Sequence, residues 1–178
     1  MFSTLIDTLR RRQDLSVEES AAVMEEIMAG RATPAQIAGL LIALSMKGER
    51  PAEIVGLART MRANAVQLSR EREDLFDTCG TGGDGASTFN VSTLAALVLA
   101  GCGVEVAKHG NRAVSSTCGS ADLFATLGVR IDAPAPVVER CLDACNIAFF
   151  FAPTFHPSMR HAGPARRELG VRTAFNLL

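Results

Sequence analysis

Leu75-Phe76-Asp77-Thr78-Cys79-Gly80-Thr81-Gly82-Gly83-Asp84-Gly85 is where the chain changes character. Two apolar residues run into a segment with four glycines in six positions, as when a buried strand ends in a loop that approaches a ligand closely. Downstream, short apolar runs at Val104-Glu105-Val106, Val129-Arg130-Ile131 and Ile147 to Phe151 alternate with helical stretches. One helix is expected over about Val91 to Ala100, a second from Ser120 to before Gly128, and a third from near Pro136 to near Cys145. Strands separated by helices of crossover length predict a parallel-sheet α/β fold.

Upstream of that stretch no strand pattern is present. Ser16-x-x-Glu19 is a capping box, Thr33-Pro34 pairs an N-cap with a first-turn proline, and Pro51 opens another helix. Val17, Ala21, Met24, Ile27 and Met28 form one apolar stripe, and Ile37, Leu40, Leu41 and Leu44 another. Both read as packing between helices, with part of that surface available for a subunit contact. The expected organisation is a small all-helical domain over 1–70, then the first part of an α/β domain over 71–178, incomplete at its C-terminus.

The chain has 178 residues, 48% of them hydrophobic, with a net charge of -1, so any anion must be held by local geometry rather than bulk charge. Nucleic acid and membrane are not expected partners, and no stretch approaches the roughly 20 apolar residues of a membrane span. A cytoplasmic location is expected. The five cysteines lack Cys-x-x-Cys spacing and read as reduced thiols used in packing.

Three of the expected strands lead into unusual loops: Cys79 to Thr88, Lys108 to Ser120, and Ala152 to His156. Ligands of open parallel sheets sit beyond the carboxyl ends of the strands, so these loops point at one site. In the first, glycines let backbone N–H groups encircle a phosphate, and Asn90-Val91-Ser92-Thr93 offers capping side chains at a helix start that also favours an anion. A P-loop reading fails, because Ala86-Ser87 stands where lysine and hydroxyl belong. A dinucleotide reading stays open: Gly80-x-Gly82-x-x-Gly85 matches that fingerprint, and Glu105 lies where a ribose-binding acid is expected. Against it, the helix opens near Asn90 rather than within the glycines, and Asp84 beside a pyrophosphate calls for a cation.

Lys108-His109-Gly110-Asn111-Arg112 places two cations and a titratable ring around a glycine, followed by Ser115-Ser116-Thr117 and Gly119-Ser120, where Ser120 reads as a helix cap. The competing reading is a solvated basic turn. Near the C-terminus, Met159, Ala162, Gly163 and Arg166 share a helix face on which a flat aromatic acid could lie, Arg166 pairing with its carboxylate. A salt bridge from Arg166 to a neighbour is the competing reading there.

Together, Asp77 to Gly85, Thr88-Phe89-Asn90-Val91-Ser92-Thr93, Lys108 to Ser116, Gly119 to Asp122, His156-Pro157-Ser158-Met159 and Arg166 to Leu178 closely resemble the anthranilate phosphoribosyltransferase family. The resemblance covers essentially the whole chain and implies a nucleoside phosphorylase/phosphoribosyltransferase-like fold. It implies transfer of phosphoribosyl from phosphoribosyl diphosphate to the amine of anthranilate in tryptophan synthesis, magnesium as cofactor, and a homodimer through the N-terminal helices. Gly80, Gly83, Asp84, Thr88, Asn90, Ser92, Thr93, Lys108, Ser116 and Ser120 would hold the sugar diphosphate, with Val91, His109, Gly110, Arg112, Ala113, Val114 and Ser115 lining the same site. Ser92 would reach magnesium; Gly80, Asn111 and Arg166 would contact anthranilate.

Lys108 is the residue carried over as catalytic. Leaving-group charge is the main barrier, and preorganised donors of this kind contribute about 2–4 kcal/mol each. No general base is assigned. Two departures stand out: Thr117-Cys118 replaces charged or hydroxyl residues, and the family's acidic magnesium-binding pair lies beyond Leu178. The chain is therefore expected to be an N-terminal portion, and a half-site that binds without catalysing is the alternative reading.

Overall fold

Hydroxyl and proline signals set the helix starts. In the computed structural model, which describes residues 1–80, 89–113 and 118–178, the Glu19 N–H donates to Ser16 Oγ at 3.1 Å and the Ser16 N–H to the Glu19 carboxylate at 2.9 Å. Thr33 and Gln36 make the same reciprocal pair at 3.3 and 2.9 Å. Each pair satisfies donors that a helix start leaves open. The N-terminal helices are α1 (Phe2–Arg10), α2 (Val17–Met28), α3 (Pro34–Lys47) and α4 (Pro51–Ala63).

All four stripe residues of α3 are buried, as are Met24, Ile27 and Met28 of α2. Val17 and Ala21 are only half-buried; Ser20 and Val23 take the buried face instead. The cause is the close packing of α2 against α4 at Gly56, where a Cβ would lie 2.3 Å from the Val17 carbonyl oxygen. Glu53 of α4 is fully buried. Its carboxylate accepts the Leu15 and Arg50 N–H groups at 2.9 and 2.8 Å and the Lys47 ammonium at 3.1 Å.

After this bundle come α5 (Val91–Gly101), β1 (Val106–Gly110), α6 (Ser120–Thr126), α7 (Ala135–Cys145), β2 (Ile147–Phe151) and the single turn α8 (Ala152–Phe155). The strands pair in parallel, with Val106 opposite Ile147 and Gly110 opposite Phe151. Phe76 adds an isolated parallel bridge to Val106: its N–H donates to Glu105 O at 2.9 Å, and Ala107 N–H returns to Phe76 O at 2.8 Å.

Two strand expectations need correction. The apolar run at 104–106 marks the start of the strand, not its whole, so Lys108, His109 and Gly110 belong to β1 rather than to a loop after it. Val129-Arg130-Ile131 is not a strand. Gly128, at φ +83°, ends α6, the Val129 N–H closes back onto Phe124 O at 2.9 Å, and Ile131 packs with Ala121, Phe124 and Phe149. Its hydrophobicity serves packing, not a ladder.

The last helix, α9 (Gly163–Leu169), follows a 3-10 turn at Pro157–His161. Packing divides the chain into Met1–Ala65 with Ser158–Leu178, and Val66–Pro157. Ala162, Ala165, Ala174 and Phe175 belong to the same hydrophobic cluster as Leu9, Ile27 and Leu40. The C-terminal segment thus packs with the helical bundle.

Candidate functional site

Parallel pairing sends β1 into a loop at its carboxyl end, and the residues there are held from several directions. Lys108 is 2% exposed, and its ammonium donates to the His109 carbonyl at 2.6 Å. It makes no ion pair among the described residues. A buried ammonium with one neutral acceptor is costly in isolation and gains strongly from an anion. A side chain at Gly110 would displace its neighbours: a Cβ there would lie 2.0 Å from Ser120 Oγ and 2.9 Å from the Phe149 ring.

Asp77 organises the neighbouring segment. Its Oδ1 accepts the Cys79 N–H at 2.9 Å and the His109 N–H at 3.3 Å. The Thr78 hydroxyl donates to the Ser92 carbonyl at 2.7 Å, tying this segment to the first turn of α5. The His109 and His156 rings meet edge to face, centroids 5.8 Å apart. Burial depresses the pKa of both, chiefly by desolvation, so both rings favour the neutral form. Burial also pushes the Cys79 thiol up.

Across the site Asp122 gathers Arg112, Ala113 and Gly119. Its carboxylate accepts the Ala113 and Gly119 N–H groups, each at 2.9 Å, and Arg112 at 3.1 Å. These bonds, Ala113 first, hold its carboxyl below the usual carboxylate range. Gly119 is the N-cap of α6 and Ser120 its first helical residue, so Ser120 is not the cap that the sequence suggested. Asn90 is likewise an N-cap by position but not by side chain. Its amide reaches to Gly119 O at 3.4 Å, linking α5 to the start of α6.

The expected site residues are therefore distributed as follows. Gly80, Asn90, Val91, Ser92, Thr93, Lys108, His109, Gly110, Asn111, Arg112, Ala113 and Ser120 lie in the Val66–Pro157 unit. Gly83, Asp84, Thr88, Val114, Ser115 and Ser116 lie outside the described residues. Thr93 is fully buried, and its hydroxyl has no hydrogen-bond partner among the described residues. A Cβ at Gly80 would meet nothing within 4 Å among them, so described packing does not require that glycine.

Arg166 belongs to the helical unit. The face it was expected to share is broken, because α9 starts at Gly163 and Met159 sits in the preceding 3-10 turn. Its guanidinium lies 5.0 Å from the centre of the Phe175 ring, with no ion pair among the described residues, and burial lowers its pKa. The salt-bridge reading of Arg166 thus has no partner among those residues. Glu105 pairs with Arg72 instead of facing a ligand, and α5 opens at Val91, well past the glycines. The dinucleotide reading thereby loses Glu105 and keeps only the glycine spacing, whose Gly82 and Gly85 lie outside the described residues.

Sequence reasoning passed over Asp77, His156 and Phe175 as site residues. The signal for Asp77 was its place three residues ahead of the first glycine, where a short acidic side chain can bond back to the loop it precedes. All five cysteines are free, as expected, but all are exposed rather than used in packing.

Residues 72–178 match the glycosyl transferase family a/b domain, and residues 3–65 match the helical bundle domain of the same family. The chain belongs to the glycosyl transferase family. Among curated relatives, the anthranilate phosphoribosyltransferase of Roseiflexus sp. (strain RS-1) is 60% identical over 168 residues, covering 94% of this chain and 49% of the relative. That of Moorella thermoacetica is 56% identical over 178 residues, covering 100% and 52%. The crystal structure of the Thermus thermophilus anthranilate phosphoribosyltransferase superposes with a TM-score of 0.90 at 51% identity, over 97% of this chain and 53% of that one. The Saccharomyces cerevisiae enzyme in complex with PRPP and Mg gives 0.87 at 28% identity, over 99% and 54%. The chain spans about half the length of these family members.

Magnesium prefers oxygen ligands and keeps several waters. Ser92 Oγ, near the N-terminus of α5, makes no hydrogen bond among the described residues, and one neutral oxygen fits an ion held mainly by diphosphate and water. Asp77 with Cys79 and His109 does not fit magnesium, since sulfur and nitrogen are the wrong donors.

Proposed function

We propose that this chain forms the phosphoribosyl-diphosphate site of an anthranilate phosphoribosyltransferase, which moves phosphoribosyl to the amine of anthranilate and releases diphosphate during tryptophan synthesis. Lys108 carries the proposal: a lysine 2% exposed, at the carboxyl end of β1, with no carboxylate partner among the described residues. Such a charge is poised for an anion. The relatives support the same chemistry, since they are named for it.

In this reading Lys108 takes charge developing on the departing diphosphate. Gly110 lets β1, Ser120 and Phe149 close around the loop without a side chain between them. Asn90, Asp122 and Gly119 tie the start of α5 to the start of α6 beside the sugar-diphosphate site. Magnesium would supply further charge neutralisation, with Ser92 contributing one oxygen. Arg166, whose guanidinium lies 5.0 Å from the centre of the Phe175 ring, pairs with the anthranilate carboxylate. The phosphorylated substrates and five free thiols suit the reducing cytoplasm. We place a homodimer contact on α1 and α3, where Ile6, Leu9, Ala38, Ile42, Ala43 and Met46 line an open apolar groove and Met46 is 74% exposed.

Calorimetric titration with phosphoribosyl diphosphate and magnesium tests the site. Saturable binding is expected, and Lys108→Met, which preserves packing, should weaken it by about 1.5–3 kcal/mol, roughly ten- to a hundredfold. Anthranilate binding should change far less. Equal losses for both ligands, or no diphosphate binding to the folded parent, would defeat the assignment. Because the chain spans about half the length of its relatives, a binding half-site is the second reading. Loss of anthranilate fluorescence in the complete reaction mixture would identify transfer; unchanged fluorescence with intact binding would identify the half-site.

A further inference from the structure

Asp77, Cys79 and His109 each present a ligand atom within 4.8 Å of the others, a mixed oxygen, sulfur and nitrogen donor set that magnesium does not account for. We infer that these residues form a binding site for a thiophilic divalent cation of the zinc class. Carboxylate, thiolate and imidazole are the donors such ions select. Asp77 is already oriented for the purpose: two backbone N–H groups, of Cys79 and His109, hold Oδ1, and Oδ2 remains for a metal. His109 Nε2 is buried with no hydrogen-bond partner among the described residues, and so is Nδ1 of His156, whose ring centre is 5.8 Å away. A buried ring nitrogen without a partner carries an unmet cost that metal coordination removes.

Charge favours the same occupant. The Asp77 carboxylate and a Cys79 thiolate supply two negative charges against a dication, offsetting the nearby Lys108 ammonium. On binding, the Cys79 S–H bond breaks, its electron pair forms the sulfur–metal bond, and the proton leaves to solvent. The thiol's contact with the Gly80 carbonyl, 3.6 Å, is long and is given up. Tetrahedral zinc brings donors to about 3.3–3.8 Å from one another by its bond lengths. Cys79 is exposed, so rotation of its side chain can close the gap while Asp77 stays held by its two N–H donors. Water or a substrate oxygen would fill the fourth position. Should the diphosphate reading also hold, zinc and phosphoribosyl diphosphate would compete, but the test below involves no substrate.

Cobalt(II) alone, titrated into the reduced 178-residue chain, should produce a thiolate-to-metal charge-transfer band that saturates at one equivalent. The band should vanish in Cys79→Ser and weaken at least tenfold in His109→Gln, and persist in Cys141→Ser. Independently, zinc should slow alkylation of Cys79 at least tenfold while leaving Cys102, Cys141 and Cys145 unchanged, read peptide by peptide by mass spectrometry. A band of equal strength in Cys79→Ser, no saturable band in the parent chain, or Cys79 labelling that zinc does not slow would overturn the site.

Discussion

Gly110 shows how one residue can serve fold and site together. It ends β1, and the space that a side chain would need is taken by Ser120 Oγ at 2.0 Å and the Phe149 ring at 2.9 Å from the ideal Cβ position. Gly110→Ala should therefore destabilise the protein by about 1–3 kcal/mol, seen as a lower urea midpoint with an unchanged slope. The sequence marks Gly110 as special only by its place between a histidine and an asparagine. That the obstacle is a serine ten residues later and a phenylalanine on the neighbouring strand follows from pairing. Lys108 is similar. Its charge is legible, but its burial is not, because a lysine in a Gly-rich run reads as solvated until the strand is extended through it.

At the scale of elements, two carboxylates act as joints. Glu53 binds the N–H groups of Leu15 and Arg50 and the ammonium of Lys47, whose side chain is 3% exposed. Glu53→Ala should cost about 3–5 kcal/mol by leaving the buried Lys47 ammonium only the exposed Asp14 carboxylate and the Gly48 carbonyl, and Lys47→Met in the same chain should restore much of the loss. Thermal melting of both variants measures this. Asp122 joins Arg112, Ala113 and Gly119 to α6, and its carboxyl is depressed from 3.8 by the Ala113 and Gly119 N–H groups and Arg112. The folded state therefore takes up this proton less readily than the unfolded chain. Its stabilisation is complete above the ordinary carboxylate value and is lost as pH falls through the depressed one. Asp122→Asn should lower stability at neutral pH and make the acid limb of a pH series of urea midpoints shallower. Equal acid slopes in parent and variant would contradict this role.

Across the whole molecule, the helical unit bears both the open groove between α1 and α3 and Arg166 with Phe175. If the groove is the subunit contact, the chain should sediment as a dimer and Ile42→Glu with Met46→Glu as a monomer, since an unpaired charge is strongly penalised when buried at an apolar contact. A parent chain that stays monomeric at high concentration would remove the contact. What the sequence determined by itself was whatever depends on neighbours along the chain. Hydroxyl caps and prolines located α2, α3 and α4, helical spacing marked the α3 face, and ordered motifs identified the family. What only the tertiary structure decided was whatever depends on groups far apart in sequence. Val129–Ile131 has strand composition yet Ile131 packs against Phe149 of β2, and 158–178 joins the N-terminal helices. Asn90 gives its amide to Gly119 instead of its own helix, and Asp77 with Cys79 meets His109. Local propensity is a difference of about 1 kcal/mol or less per residue, and burial and pairing across the fold outweigh it.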